Sequence, residues 1–272
     1  MAAEGRSVRP NHRIDITAIA RATWKQLTSS HAQHPRAGHQ VRDADVECLV
    51  GDLSKIVRLA GHLMTNASVA LHQADLKFAE SVISEADELK ARCEDADQRC
   101  LTLLSYRTLA ATDLHMVVAA MHVVKDVHRM CNLAQHIAEL TRLKHPIEPI
   151  PANVRPVSLQ MGVLAAKLAE DAAGVIESRD PISPARLAQV DNEVDALRRR
   201  IFQILFSENW SHGVEPAVDA ALIGRYYERF ADHAVAIARR VYLSHCGHPE
   251  RSLEASRAGE QWMHRRQHDQ RA

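Results

Sequence analysis

Two carboxylates stand four residues apart near the end of this chain, Glu228 and Asp232 in "GRYYERFADHAVAIARRV". On a helix that spacing stacks both acids on one face, one turn apart. Such a pair is half of an oxygen-rich site for Mg, Mn or Fe, since hard cations prefer oxygen ligands. Two acids hold a metal poorly, so the remaining ligands would have to come from a neighbouring helix. The same spacing also suits a solvated rail of ion pairs with Arg225, Arg229 and Arg239, each worth only tenths of a kcal/mol. Counting at about 100° per residue, Leu222, Tyr226, Phe230, His233, Ile237 and Val241 form one apolar face. The two acids fall outside it, and His233 reads as a hydrogen-bonded histidine on the packed side.

The other reactive side chains form no such motif. His115, His122, His128 and His136 share one helix, which reads as polar filling or rim hydrogen bonding rather than a zinc site. Cys48, Cys93, Cys100, Cys131 and Cys246 are scattered, with no CxxC, and read as reduced thiols. The sequence has no ExxH pair of the di-iron bundles on a long helix, no phosphate-cradling glycine loop and no nucleophile elbow. Chemistry by an enzyme is therefore not expected.

The elements that must position these residues are helices. Aromatic residues are 4% of the 272, glycine and proline number only ten each, and alanine and leucine abound, a mix that favours helix over sheet. No apolar run approaches the roughly 20 residues of a membrane span, and the N-terminus lacks the apolar core of a signal peptide. Net charge is zero but uneven. Residues 1–42 carry seven Lys/Arg against two Asp/Glu, and residues 43–246 carry 22 against 28. An acidic body is a poor surface for nucleic-acid phosphates. The basic arm reads as disordered, because its low apolar content cannot offset the entropy of ordering.

From Asp43 apolar residues recur with helical period. A second helix is expected after an Asp75 cap, and a third from an Asp113 cap to Pro146. "PIEPIPANVRP" is the clearest boundary. Three more helices follow: one over "VSLQMGVLAAKLAEDAAGVIESRD", one with Ser183 as cap and Pro184 at its first position, and a last one from about Pro216 to His245. The division is a basic arm (1–42), a first three-helix repeat (43–146), a proline-rich linker (147–155), a second repeat (156–246) and a polar tail (247–272). The halves resemble each other. At an offset of 100, Val118, Ala120, Arg129, Ala134, Ile137 and Ala138 match Val218, Ala220, Arg229, Ala234, Ile237 and Ala238. "EADELKAR" parallels "EVDALRRR" at an offset of 108. The expected fold is all-α, a tandem repeat of two antiparallel three-helix bundles.

Residues 43–245 resemble the PhoU family of bacterial phosphate-transport accessory proteins, most densely in "SENWSHGVEPAVDAALIGRYYERFADHAVAIARRV", which is similar to actinobacterial members. The family hallmark is an acid-x-x-x-Asp pair in the third helix of each repeat. Glu228 and Asp232 fill it here, flanked by Arg229. In the first repeat the equivalent positions are His128 and Asn132, flanked by Arg129 and without a carboxylate. The resemblance implies a non-enzymatic, cytoplasmic, homo-oligomeric adaptor, taken as a dimer. It implies negative regulation of phosphate uptake and of the phosphate-starvation response. Its implied partners are the nucleotide-binding subunit of a phosphate ABC transporter and a membrane sensor histidine kinase. No cofactor is implied as required, although some family members hold metal clusters at the acidic motif. The alternative reading is a metal-binding or metal-storing bundle, with a divalent metal or iron at Glu228 and Asp232.

Overall fold

The computed structural model describes residues 43–106, 109–178 and 184–246. Among them are six helices and no strand: α1 (Asp43–Gln73), α2 (Leu76–Leu104), α3 (Ala111–Lys144), α4 (Arg155–Ser178), α5 (Pro184–Leu205) and α6 (Val214–Cys246). The basic arm, the polar tail and the Ser183 cap lie outside the described residues.

Local chemistry sets most of the boundaries. Asp75 holds an extended backbone, and its carboxylate accepts from the Phe78 amide at 3.0 Å, so α2 starts where the capping rule places it. α3 departs from expectation. Its cap is Ala110, which makes no side-chain bond, and Asp113 sits in the first turn. There its charge still favours the helix by facing the positive end of the backbone dipole. α6 begins at Val214, two residues before the expected Pro216, directly after Gly213 with its positive φ of 86°. The proline-rich stretch is more than a spacer, because Ile150 and Val154 are both buried.

Each repeat is a three-helix bundle in which the middle helix runs antiparallel to the other two. Between repeats, α1 packs on α4 and α3 packs on α6. Both inter-repeat pairs are antiparallel. Ser68 meets Gly162 while Gly61 meets Ala169, and Lys144 pairs with Asp219 while Asp126 pairs with His233. The offset of 100 extends to burial. Ala120, Val123, Val127, Met130, Ala134, Ile137 and Ala138 are buried, as are Ala220, Ile223, Tyr227, Phe230, Ala234, Ile237 and Ala238.

Close approach of α1 and α4 depends on small residues. A Cβ at Gly162 would lie 2.5 Å from Ser68 Oγ and 3.2 Å from Tyr227 Cε1. Tyr227, fully buried, donates its hydroxyl to Ser68 Oγ at 2.9 Å. Gly162→Leu therefore drives a side chain into the seam between repeats. Overpacking of this kind costs about 1–3 kcal/mol, so a thermal melt is expected to fall by roughly 2–12 °C for a domain of this size. A melting temperature within a degree of wild type would mean that the seam is looser than described.

Candidate functional site

Glu228 is only 2% exposed, a correction to its expected place on a solvated rim. The helix-face count weighed apolar residues alone. α6 packs against three helices, α3, α4 and α5, so its buried arc is wider than one stripe. That arc holds Tyr227, Phe230, Ala231 and Ala234, whereas Leu222 is 41% exposed and Tyr226 half-buried. A buried carboxylate must be paired, and two guanidiniums do this. Arg225, one turn back on α6, donates from Nη1 to Oε2 at 2.6 Å. Arg198 reaches across from α5, with Nε 3.1 Å from Oε2 and Nη1 donating to Oε1 at 3.5 Å. Arg198 also lies over the Phe202 ring, 5.4 Å from its centroid.

The other expected residues lie around this centre. Asp232, one turn on, is half-buried, as are His128 and Asn132 in the first repeat, while Arg129 and Arg229 are exposed. His136 bonds Glu139 at 3.2 Å and packs on Tyr226 rather than joining other histidines. The offset of 108 pairs Arg198 with Lys90, which bonds Gln135 of α3. In both repeats a cation of the middle helix thus reaches the third helix. It meets a carboxylate in the second and a neutral amide in the first.

A second polar centre escaped the sequence reading. Asp126 of α3, 6% exposed, accepts from Arg240 at 2.5 Å and bonds His233 Nδ1 at 3.1 Å, both on α6. The buried, hydrogen-bonded place read for His233 is found here, with an acid of the other repeat as its partner. Burial pushes the Asp126 carboxyl up, but His233 and Arg240 more than offset this and hold it below the usual carboxylate range. The available signal was an acid set among Val123, Val124, Val127 and Met130, in the middle of an apolar stripe. On the opposite seam Arg58 of α1 forks between Glu170, at 2.9 Å, and Glu177, at 2.8 Å, on α4. This pairing pulls the Glu177 carboxyl down to about 2.

The acidic pair does not fit a metal in this arrangement. A hard cation takes six or more oxygens, and both Glu228 oxygens already face guanidinium groups. Among the described residues no three His, Cys, Asp or Glu side chains gather closely enough to hold an ion. Arg198 and Arg225 supply the positive charge that a cation would bring.

The fold and these centres define a class: a tandem pair of three-helix bundles whose buried charges lock helices to one another. The chain belongs to the PhoU family. The family model for the PhoU domain matches twice, over residues 53–141 and 159–241, one match in each bundle. The chain is 40% identical to the phosphate-specific transport system accessory protein PhoU homolog 1 of Mycobacterium leprae, over 72% of this chain and 88% of that protein. It is equally similar, at 40%, to PhoU homolog 2 of Mycobacterium tuberculosis, covering 72% of this chain and 92% of the relative. The fold matches the crystal structure of PhoU from Pseudomonas aeruginosa, with a TM-score of 0.68 at 22% identity, over 76% of this chain and 99% of that one. A Streptococcus pneumoniae PhoU structure matches with a TM-score of 0.65.

Proposed function

We propose that this chain is a regulatory accessory protein of a phosphate-uptake system, acting by binding rather than by chemistry. It holds down uptake and the phosphate-starvation response while phosphate is plentiful. It does so on the cytoplasmic side of the membrane, as a homo-oligomer, by linking the nucleotide-binding subunit of a phosphate ABC transporter to a sensor histidine kinase. The observation that carries this reading is the 40% identity, over most of their length, to proteins named as phosphate-specific transport accessory proteins. Two further features support it. No helix among the described residues is long and apolar enough to cross a membrane, in keeping with a peripheral role. Two bundles in one chain also provide two faces, as a link between two partners requires. The phosphate state of the transporter would bias which contact persists, a shift between two bound states driven by differential affinity.

Deleting the gene, in a strain lacking any paralogue, and growing cells in phosphate-rich medium tests this. Alkaline phosphatase activity and phosphate uptake are both expected to rise several-fold and to return to baseline when the gene is restored. Unchanged output in that strain would sink the reading.

A further inference from the structure

The two repeats match on their outward faces as well as their buried ones. Along α3 stand Leu114, Val118, His122, Lys125 and Arg129; a hundred residues later, along α6, stand Val214, Val218, Leu222, Arg225 and Arg229. Steps of four, four, three and four keep each set within about 80° of arc at about 100° per residue. Nine of the ten are exposed and Arg225 is half-buried. Val118 is 41% exposed, Val218 51% and Val214 80%. Each stripe is apolar toward its N-terminal end and basic toward its C-terminal end. Folding accounts for part of the basic end, where Arg225 pairs with Glu228 and Arg129 lies 3.9 Å from Asp126, but not for the apolar residues, which stay exposed. Contiguous exposed apolar surface of this kind marks interaction sites.

On the second repeat the N-terminal end of the stripe, Val214 and Val218, forms one wall of an open groove of about 630 Å³ with Ala217 and Ala221. The other wall is the end of α5, with Phe202 and Leu205, and the residue after it, Phe206, and Trp210 of the connecting turn closes it. Phe206 is 83% exposed.

We propose that each repeat docks an amphipathic helix of a protein partner along this stripe. The partner's apolar side chains seat on Leu114 and Val118, or on Val214, Val218 and Leu222. Its carboxylates meet Lys125 and Arg129, or Arg225 and Arg229. The inference rests on the chain being a binding scaffold, and it names the chemistry that the scaffold reads. A groove between two helices takes a helix by its apolar ridge. The basic residues set its polarity, because they begin three to eleven residues beyond the apolar ones, roughly 5–17 Å along the axis. A flat lipid surface suits this shape less well, since the second site is concave. Because α3 and α6 run antiparallel, the stripes lie at opposite ends of the pair. The Lys144–Asp219 and Asp126–His233 contacts set Val214–Val218 level with the end of α3, so the apolar ends of the two sites are about 45 Å apart along the axis. A partner presenting two copies of the helix engages both.

The test uses the full chain and two designed 18-residue fluorescein-labelled peptides, one leucine–glutamate amphipathic helix and one leucine–lysine control, read by fluorescence anisotropy. Two leucine–glutamate peptides are expected to bind per chain, at least tenfold more tightly than the control and more weakly in 0.5 M salt. Phe206→Asp with Val218→Asp should remove one site, and Val118→Asp the other. All three positions are exposed, so circular dichroism should stay unchanged. Absence of leucine–glutamate binding, or equal binding of the control, overturns the proposal. So does binding to phosphatidylglycerol vesicles, or self-association in sedimentation, that these variants abolish while the peptide does not bind. Loss of peptide binding leaves the gene-deletion result untouched, so the two readings fail separately.

Discussion

Asp126→Ala is expected to lower unfolding stability by about 3 kcal/mol, at the low end of what breaking a buried ion pair costs. The carboxylate is 6% exposed and joins the two repeats through His233 and Arg240. Its removal leaves a buried imidazole without its acid. The Arg240 side chain is 36% exposed and recovers part of its loss in water, which keeps the figure from being larger. In a domain of this size the melting temperature falls by about 6–12 °C. A double-mutant cycle with Arg240→Ala isolates the bond, and a coupling energy near zero would show that the pair contributes nothing.

The acid response follows from the direction of the Asp126 shift. Its folded pKa lies below the ordinary value, so between the two the unfolded state binds more protons. The stabilisation is fully present above the unfolded pKa of about 3.9 and is lost as pH falls through the folded value. The Glu177 carboxyl, pulled down to about 2 by Arg58, acts in the same sense. Wild type and Asp126→Ala should therefore differ most at neutral pH and converge as pH falls below the unfolded value and through the lower folded one. A difference that grows with acidification would contradict the assignment.

Glu228→Ala is the second large effect, at about 2–3 kcal/mol. The acid is buried, but Arg198 and Arg225 are 27% and 39% exposed as side chains, so both are partly rehydrated when it goes. Arg198→Met should cost less than the acid variant, because Arg225 still pairs with Glu228. The same variants address metal. Wild type is expected to keep its melting temperature within a degree whether treated with chelator or supplied with manganese or iron. A rise of several degrees on adding metal, abolished by Glu228→Ala, would mean that the guanidiniums give way to a cation.

Much of the fold was legible in the chain. Helical periodicity from Asp43 onward, the Asp75 cap, the proline break and the offset of 100 all report local geometry, and each has its counterpart among the six helices. The Asp113 cap was misplaced because a side chain in the first turn and one at the cap look alike in sequence. The site was legible only as a position. The motif marked Glu228, but its environment depends on Arg198, thirty residues away on another helix. Asp126 was passed over for the same reason, since its partners lie more than a hundred residues further on.

The sequence by itself determined an all-α chain of two homologous three-helix units and the place of the acidic pair within the second. These follow from intrinsic propensity, capping and repeat register, each acting within a few turns of helix. Tertiary structure decided what the charges do. It turned Glu228 inward against two arginines, spanned the repeats with Asp126, and left the Val118 and Val218 stripes outside. Burial and pairing of charge depend on which helices meet, and here the small residues at Gly61 and Gly162 let α1 and α4 close together.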